Sequence, residues 1–351
     1  MSFLKGLREF WVADPAAFDA FTKHLAATGK LHGPVKKRNR FALDKVNTAS
    51  DLRLDYDVTI IPPKKFFLPP RQALINFLLA PEASTSPIID TEGLILFGLH
   101  PYDVAGLNVL DHVFFERNPD PSYLAKRRNS IVIGMTPQKV SERNFAYQMG
   151  AADVEDGYDL FFTRTADGKA LFEVASRPGK DLVTSFGQMK PASGTEVEAG
   201  LAYRAEQAKM MNHQAALFSY TELPALLERH HEHWVWAAKS ETCFSCGTCN
   251  LVCPTCYCFD VRDEVNLDAK GGQRARFWDG CLLESFAAVA HGENFRGNAA
   301  NRYRHRYMRK GRYVFENSGV MGCVGCGRCS QQCLPDIADP VDVFNILKRG
   351  V

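Results

Sequence analysis

Residues 243–254 read CFSCGTCNLVCP, and residues 323–335 read CVGCGRCSQQCLP. Each run places four cysteines in the order C-x2-C-x2-C-x3-C, with Pro254 directly after the first run and Pro335 one residue after the second. That is the ligand spacing of paired [4Fe–4S] clusters, and it sets one-electron chemistry before any fold is considered. Three thiolates come from one tight loop at i, i+3 and i+6. In two-cluster ferredoxins the fourth comes from the other run. The pattern therefore pairs Cys243, Cys246 and Cys249 with Cys333 around cluster one, and Cys323, Cys326 and Cys329 with Cys253 around cluster two. Gly247, Gly325 and Gly327 are expected to let the backbone approach and to aim N–H groups at sulfur. A reading as two zinc sites fits less well, because zinc knuckles present two C-x2-C pairs rather than four cysteines in one run.

All 11 cysteines lie between positions 243 and 333 of the 351-residue chain. A secreted disulfide protein would spread them, so the pattern indicates a metal region in a reducing compartment. Residues 1–18 lack the apolar core of a signal peptide, and no apolar run approaches the ~18 residues of a membrane span. A cytoplasmic protein is expected. The formal charge is +2, and two clusters at roughly −2 each would reverse its sign, so it argues for no nucleic-acid partner.

Three cysteines stand outside both quartets: Cys256 and Cys258 in PTCYCFD, and Cys281 in FWDGC. They read either as ligands of a third metal centre, with a fourth ligand from His, Asp or a partner, or as buried packing thiols. Residues 302–313 hold Arg302, Arg304, His305, Arg306, Arg309, Lys310 and Arg312 among three tyrosines. This stretch reads as a solvated helix face, as a dock for an acidic electron partner, or as a balance to cluster charge. His230, His231 and His233 are split over two helix faces and read as solvated or capping. There is no dinucleotide-binding glycine motif and no P-loop, and no catalytic residue is assigned.

Outside the cysteine region, strands are expected over 58–61, 94–99 and 131–135. A hairpin is expected over 159–174. Helical spacing covers 15–27, 70–79, 104–115, 195–213 (capped by Ser193 or Thr195), 223–239, 282–291 and 301–312. Strand, helix, strand over 94–135 suggests a parallel βαβ unit. The fold class is α+β. An N-terminal mixed α/β domain, residues 1–230, serves as scaffold and docking surface. A C-terminal dicluster domain, residues 231–351, follows, with the boundary inside 215–242. The 69 residues between the runs exclude a compact bacterial ferredoxin. Their helical text resembles the α-helical ferredoxin domain of fumarate reductase iron–sulfur subunits.

The stretch 242–260, with CPTCYCFD, together with FWDGC at 277–281 and the second cysteine run, resembles the β subunit of cytosolic [NiFe] sulfhydrogenases and the A subunit of anaerobic sulfite reductases. PPKKFFLPP at 62–70 and FGLHPYDVAGL at 97–107 resemble the N-terminal signatures of the same family, so the likeness spans most of the chain. It implies a non-catalytic electron-transfer subunit. Its partners would be a flavoprotein that binds NAD(P)H and a catalytic subunit, either a [NiFe] hydrogenase module or a sirohaem sulfite reductase. The alternative is an enzyme with its own substrate or flavin site between the domains. The family often carries Pro-Cys-Asp where this chain has Pro101-Tyr102-Asp103, so a thiol at 102 is not expected to be needed for the clusters.

Overall fold

A computed structural model of the chain describes residues 8–213 and 215–350. Residues 1–7, part of the N-terminal stretch read above, lie outside that description. The larger sheet has eight strands in the order β10-β1-β9-β8-β7-β6-β2-β3. They are β1 (Glu9–Ala13), β2 (Leu31–Lys37), β3 (Arg40–Lys45), β6 (Ile95–Leu99), β7 (Ile131–Met135), β8 (Leu160–Arg164), β9 (Ala170–Val174) and β10 (Lys190–Pro191). The central strands β2, β6, β7 and β8 run parallel, and the flanking pairs are antiparallel.

Side-chain alternation sorts the sheet's two faces. Phe97, Ile133 and Phe162 point to a core completed by Phe18, Phe21 and Leu25 of the helix Pro15–Ala27. Leu96, Val132 and Phe161 point to the opposite core, against Val104, Leu107 and Leu110 of the helix Pro101–Asp111. The expected βαβ unit is β6, that helix, the helix Pro121–Arg128, and β7 in parallel. The expected hairpin is β8–β9, turned through Gly168 at φ 83°. Ser193 caps the helix Gly194–Lys209 in a reciprocal arrangement with Glu196.

Four readings need correction. Residues 70–79 form a strand, β4 (Arg71–Leu78), not a helix. It joins a second sheet, β11-β12-β4-β5, with β5 (Ser84–Pro87), β11 (Phe259–Val265) and β12 (Gly271–Trp278). Its partner β12 lies about 200 positions away, between the cysteine runs, so local spacing could not reveal the pairing. Residues 58–61 form only an isolated parallel bridge, Thr59 to Phe41, with the Ile60 amide donating to the Phe41 carbonyl at 2.9 Å. Two of their carbonyls serve the cysteine region: that of Thr59 accepts from Arg328 Nε at 2.7 Å, and that of Ile60 from Gln332 Nε2 at 2.9 Å. Residues 282–291 hold only 3-10 turns, Glu284–Ala287 and Ala290–Gly292. The span 223–239 splits into Leu223–Arg229 and Val235–Ser240. At the break His230 Nδ1 bonds the Leu226 carbonyl, and the His230 carbonyl accepts from Trp236 Nε1. That is the capping role expected of a histidine there. The division expected at 230/231 falls directly after the first of these helices.

The expected helix over 301–312 is the helix Ala299–Met308, extended by a π turn at Arg309–Tyr313. Among the described residues no helix is long and apolar enough to cross a membrane.

Candidate metal centres

The two cysteine runs fold alike. Each loop turns through a left-handed glycine, Gly247 at φ 72° and Gly327 at φ 76°, into a four-residue helix, Thr248–Leu251 and Arg328–Gln331. The two helices pack on each other, which brings the runs together across the sequence. Cys253, Cys323, Cys326 and Cys329 line one internal cavity: three thiols from the second run and one from the first. The Gly325 amide donates to Cys323 Sγ at 3.5 Å. In the first run, Cys329, Cys281 and Cys243 are charge neighbours of Cys249. Cys246 is exposed, and Cys333 is half-buried beyond the second short helix.

All 11 cysteines are free thiols. Burial pushes Cys249 and Cys326 up to about 12 and Cys323 upward as well. Without metal these groups are neutral, and ligation must displace their protons. Among the described residues no three His, Cys, Asp or Glu side chains close round one point as ligands of a single ion do. A cubane makes no such demand, because each of its four thiolates holds a different iron.

Charge tests the fit of an anionic group. Arg306 lines the cavity, is 2% exposed, and leaves Nε and Nη1 without a partner. Lys310 lines it too, and its ammonium donates to the Thr255 hydroxyl at 2.7 Å. Among the described residues neither cation has a carboxylate partner. Burial alone would lower the Lys310 ammonium, but the neighbouring Cys253 and Cys256 sulfurs offset this and hold it upward. Buried unpaired cations are costly. A cluster with four thiolates, at roughly −2, supplies the missing charge. The donor set and the orphaned arginine therefore fit an iron–sulfur cluster.

This divides the basic stretch. Arg302, Arg306 and Lys310 are buried beneath the cysteine loops. Arg302 donates to the Ser245 hydroxyl at 3.0 Å and to the Gly297 carbonyl at 2.6 Å. Arg304 and Arg312 turn outward to Glu232, Glu228 and Glu316. The outer set forms the solvated face, and the inner set is buried.

Two residues that the spacing did not reveal, Arg328 and Asp103, fasten the second loop to the helix Pro101–Asp111 of the α/β region. Arg328, between Gly327 and Cys329, forks onto Asp103 at 2.6 and 2.8 Å and bonds the Thr59 hydroxyl at 2.8 Å. Both charges are fully buried. An arginine between two cysteines of the second run, and an aspartate at the start of a buried helix, were the available signals. Tyr102 packs in the same cluster of buried residues as Cys326.

Of the three remaining thiols, Cys256 adjoins Cys253, and Cys281 adjoins both Cys258 and Cys249. Asn250 Nδ2 lies 3.3 Å from Cys281 Sγ and 3.7 Å from Cys256 Sγ. Burial, then the neighbouring Cys281, push the Cys258 thiol up.

The 4Fe-4S dicluster domain family matches residues 242–337. Sulfhydrogenase 2 subunit beta of Pyrococcus furiosus is 33% identical over 336 residues, covering 95% of this chain and 97% of the relative.

Proposed function

The chain belongs to the sulfhydrogenase β-subunit family, and from that premise we propose that it is the electron-transfer subunit of a hydrogenase-type complex. It carries two [4Fe–4S] clusters and relays single electrons between a flavoprotein that oxidises or reduces NAD(P)H and a catalytic hydrogenase subunit. When bound, the clusters supply reversible one-electron chemistry. Cys243, Cys246, Cys249 and Cys333 hold one, and Cys253, Cys323, Cys326 and Cys329 the other. Arg306 and Lys310 offset the negative charge, and the Gly325 amide donates to sulfur. The α/β region holds the second loop rigid through Asp103 and gives the complex a docking face.

The observation that carries this reading is the buried Arg306 guanidinium, whose Nε and Nη1 have no hydrogen-bond partner among the described residues, in a cavity lined by four thiols from both runs. No side chain is assigned acid–base work on a substrate. Anaerobically purified complex is expected to be brown and to contain acid-labile sulfide. The Cys249→Ser protein should lose visible iron–sulfur absorbance and relay activity. Colourless, sulfide-free material would overturn the reading. Stoichiometric flavin released from this chain on denaturation would instead favour a cofactor site of its own.

A further inference from the structure

We propose that Cys256, Cys258 and Cys281 hold a third iron–sulfur centre, one with three protein thiolates. The proposal rests on the two-cluster reading, which leaves these thiols unused.

The hairpin brings them together. Phe259 pairs with Trp278, and the Asp279 amide donates to the Cys258 carbonyl at 3.1 Å. The ladder thus continues one step past the strands and sets Cys258 two residues from Cys281 across the pair. Gly280 lets the chain close on Asn250, because a Cβ there would sit 2.7 Å from the Asn250 Cβ. Asn250 is buried and uses both ends of its amide. Nδ2 bridges the Cys281 and Cys256 sulfurs, and Oδ1 accepts from the Leu282 amide at 3.1 Å. Amide donors to sulfur are the kind of contact that supports a cluster's thiolates.

The charge points the same way. Lys64 is 2% exposed. Its ammonium reaches the Cys256 carbonyl at 3.0 Å and lies 4.2 Å from the centre of the Trp278 ring. Among the described residues no carboxylate pairs with it. A carbonyl and a ring do not neutralise a buried cation, whereas an anionic centre on three adjacent thiolates does. Zinc is the weaker candidate. A structural zinc site closes with four ligands on one ion, and among the described residues no three His, Cys, Asp or Glu side chains, these thiols included, converge in that way. An iron–sulfur core can manage with three thiolates, either as a three-iron core or as a cubane with one iron open to an outside ligand.

The position suits a relay. The Cys256 amide meets the Cys253 carbonyl at 3.4 Å, so the centre abuts the second quartet. Tyr257, between Cys256 and Cys258, lines a surface cleft of about 310 Å³ with His112 and Arg309. The third centre therefore carries the path from the buried cavity towards the surface.

The test is iron and sulfide per chain in the anaerobically purified complex, wild type against Cys281→Ser and Cys258→Ser. Each variant is expected to lose roughly three to four iron atoms, one cluster's worth, together with one component of the low-temperature EPR spectrum. If Cys281→Ser fails to assemble, Cys258→Ser decides. Iron and spectrum unaltered in the variants, with about eight iron atoms retained on this chain, would overturn the third centre and leave the two-cluster reading standing. An iron-free wild-type chain would overturn both.

Discussion

The two cysteine runs share one spacing and one backbone path, yet they sit in opposite surroundings. In the first run Phe244 is 67% exposed and Cys246 faces solvent; in the second, Val324 at the matching position is 4% exposed and Cys326 is buried. The contrast is sharpest one residue on. Ser245 and Gly325 occupy equivalent positions, and both have left-handed backbone, at φ 49° and 65°. A serine is tolerated in the first run because the loop is open, and its hydroxyl accepts from Arg302. Glycine is required in the second because a Cβ would lie 2.5 Å from the Phe145 carbonyl group. The loop conformation belongs to the cluster motif, but the glycine belongs to the wall it is pressed against.

That contrast can be broken most severely at Asp103. Asp103→Ala leaves the buried Arg328 without its counter-charge, and loss of about 3–5 kcal/mol is expected, read by anaerobic denaturant unfolding. Equal midpoints for variant and wild type would show that the clamp is idle. Next comes Gly325→Ser, which copies the first run's residue into the second. Overpacking of this kind costs about 1–3 kcal/mol, and iron should leave the second quartet first. Arg306→Gln removes a cation from the cavity. Because the cation stabilises the more negative, reduced state, the midpoint potential should fall, by about 60 mV for a tenfold change in a one-electron equilibrium. An EPR-monitored redox titration that shows no fall would dissociate Arg306 from the cluster. The smallest effect is expected for Ser245→Gly. Relief of left-handed strain, about 1–2 kcal/mol, is largely offset by the lost hydroxyl contact at about 1 kcal/mol, so stability and iron content should stay near wild type.

The sequence made much of the candidate site legible, because cluster ligands are a local code. The spacing at 243–253 and 323–333 and the three glycines could be read residue by residue, and all three glycines have positive φ. The βαβ unit and the β8–β9 hairpin were legible for the same reason: their partners are near in sequence. What escaped depended on distant partners. Residues 71–78 look helical by spacing and become a strand only because β12 is there to receive them. Residues 58–61 look like a strand, but Arg328 and Gln332 claim their carbonyls. Arg302, Arg306 and Lys310 could not be told from their outward neighbours, since a charged helix in isolation gives no sign of which side will be covered.

The pairing of β4 with β12 has a consequence for engineering. A fragment comprising residues 231–351 would carry every cysteine, yet its hairpin would present a bare edge strand prone to self-association, and Arg328 would be stranded without Asp103. The conducting part of this molecule cannot be lifted out as a cassette. Any transplant into another redox assembly would have to bring the cysteine-free half with it.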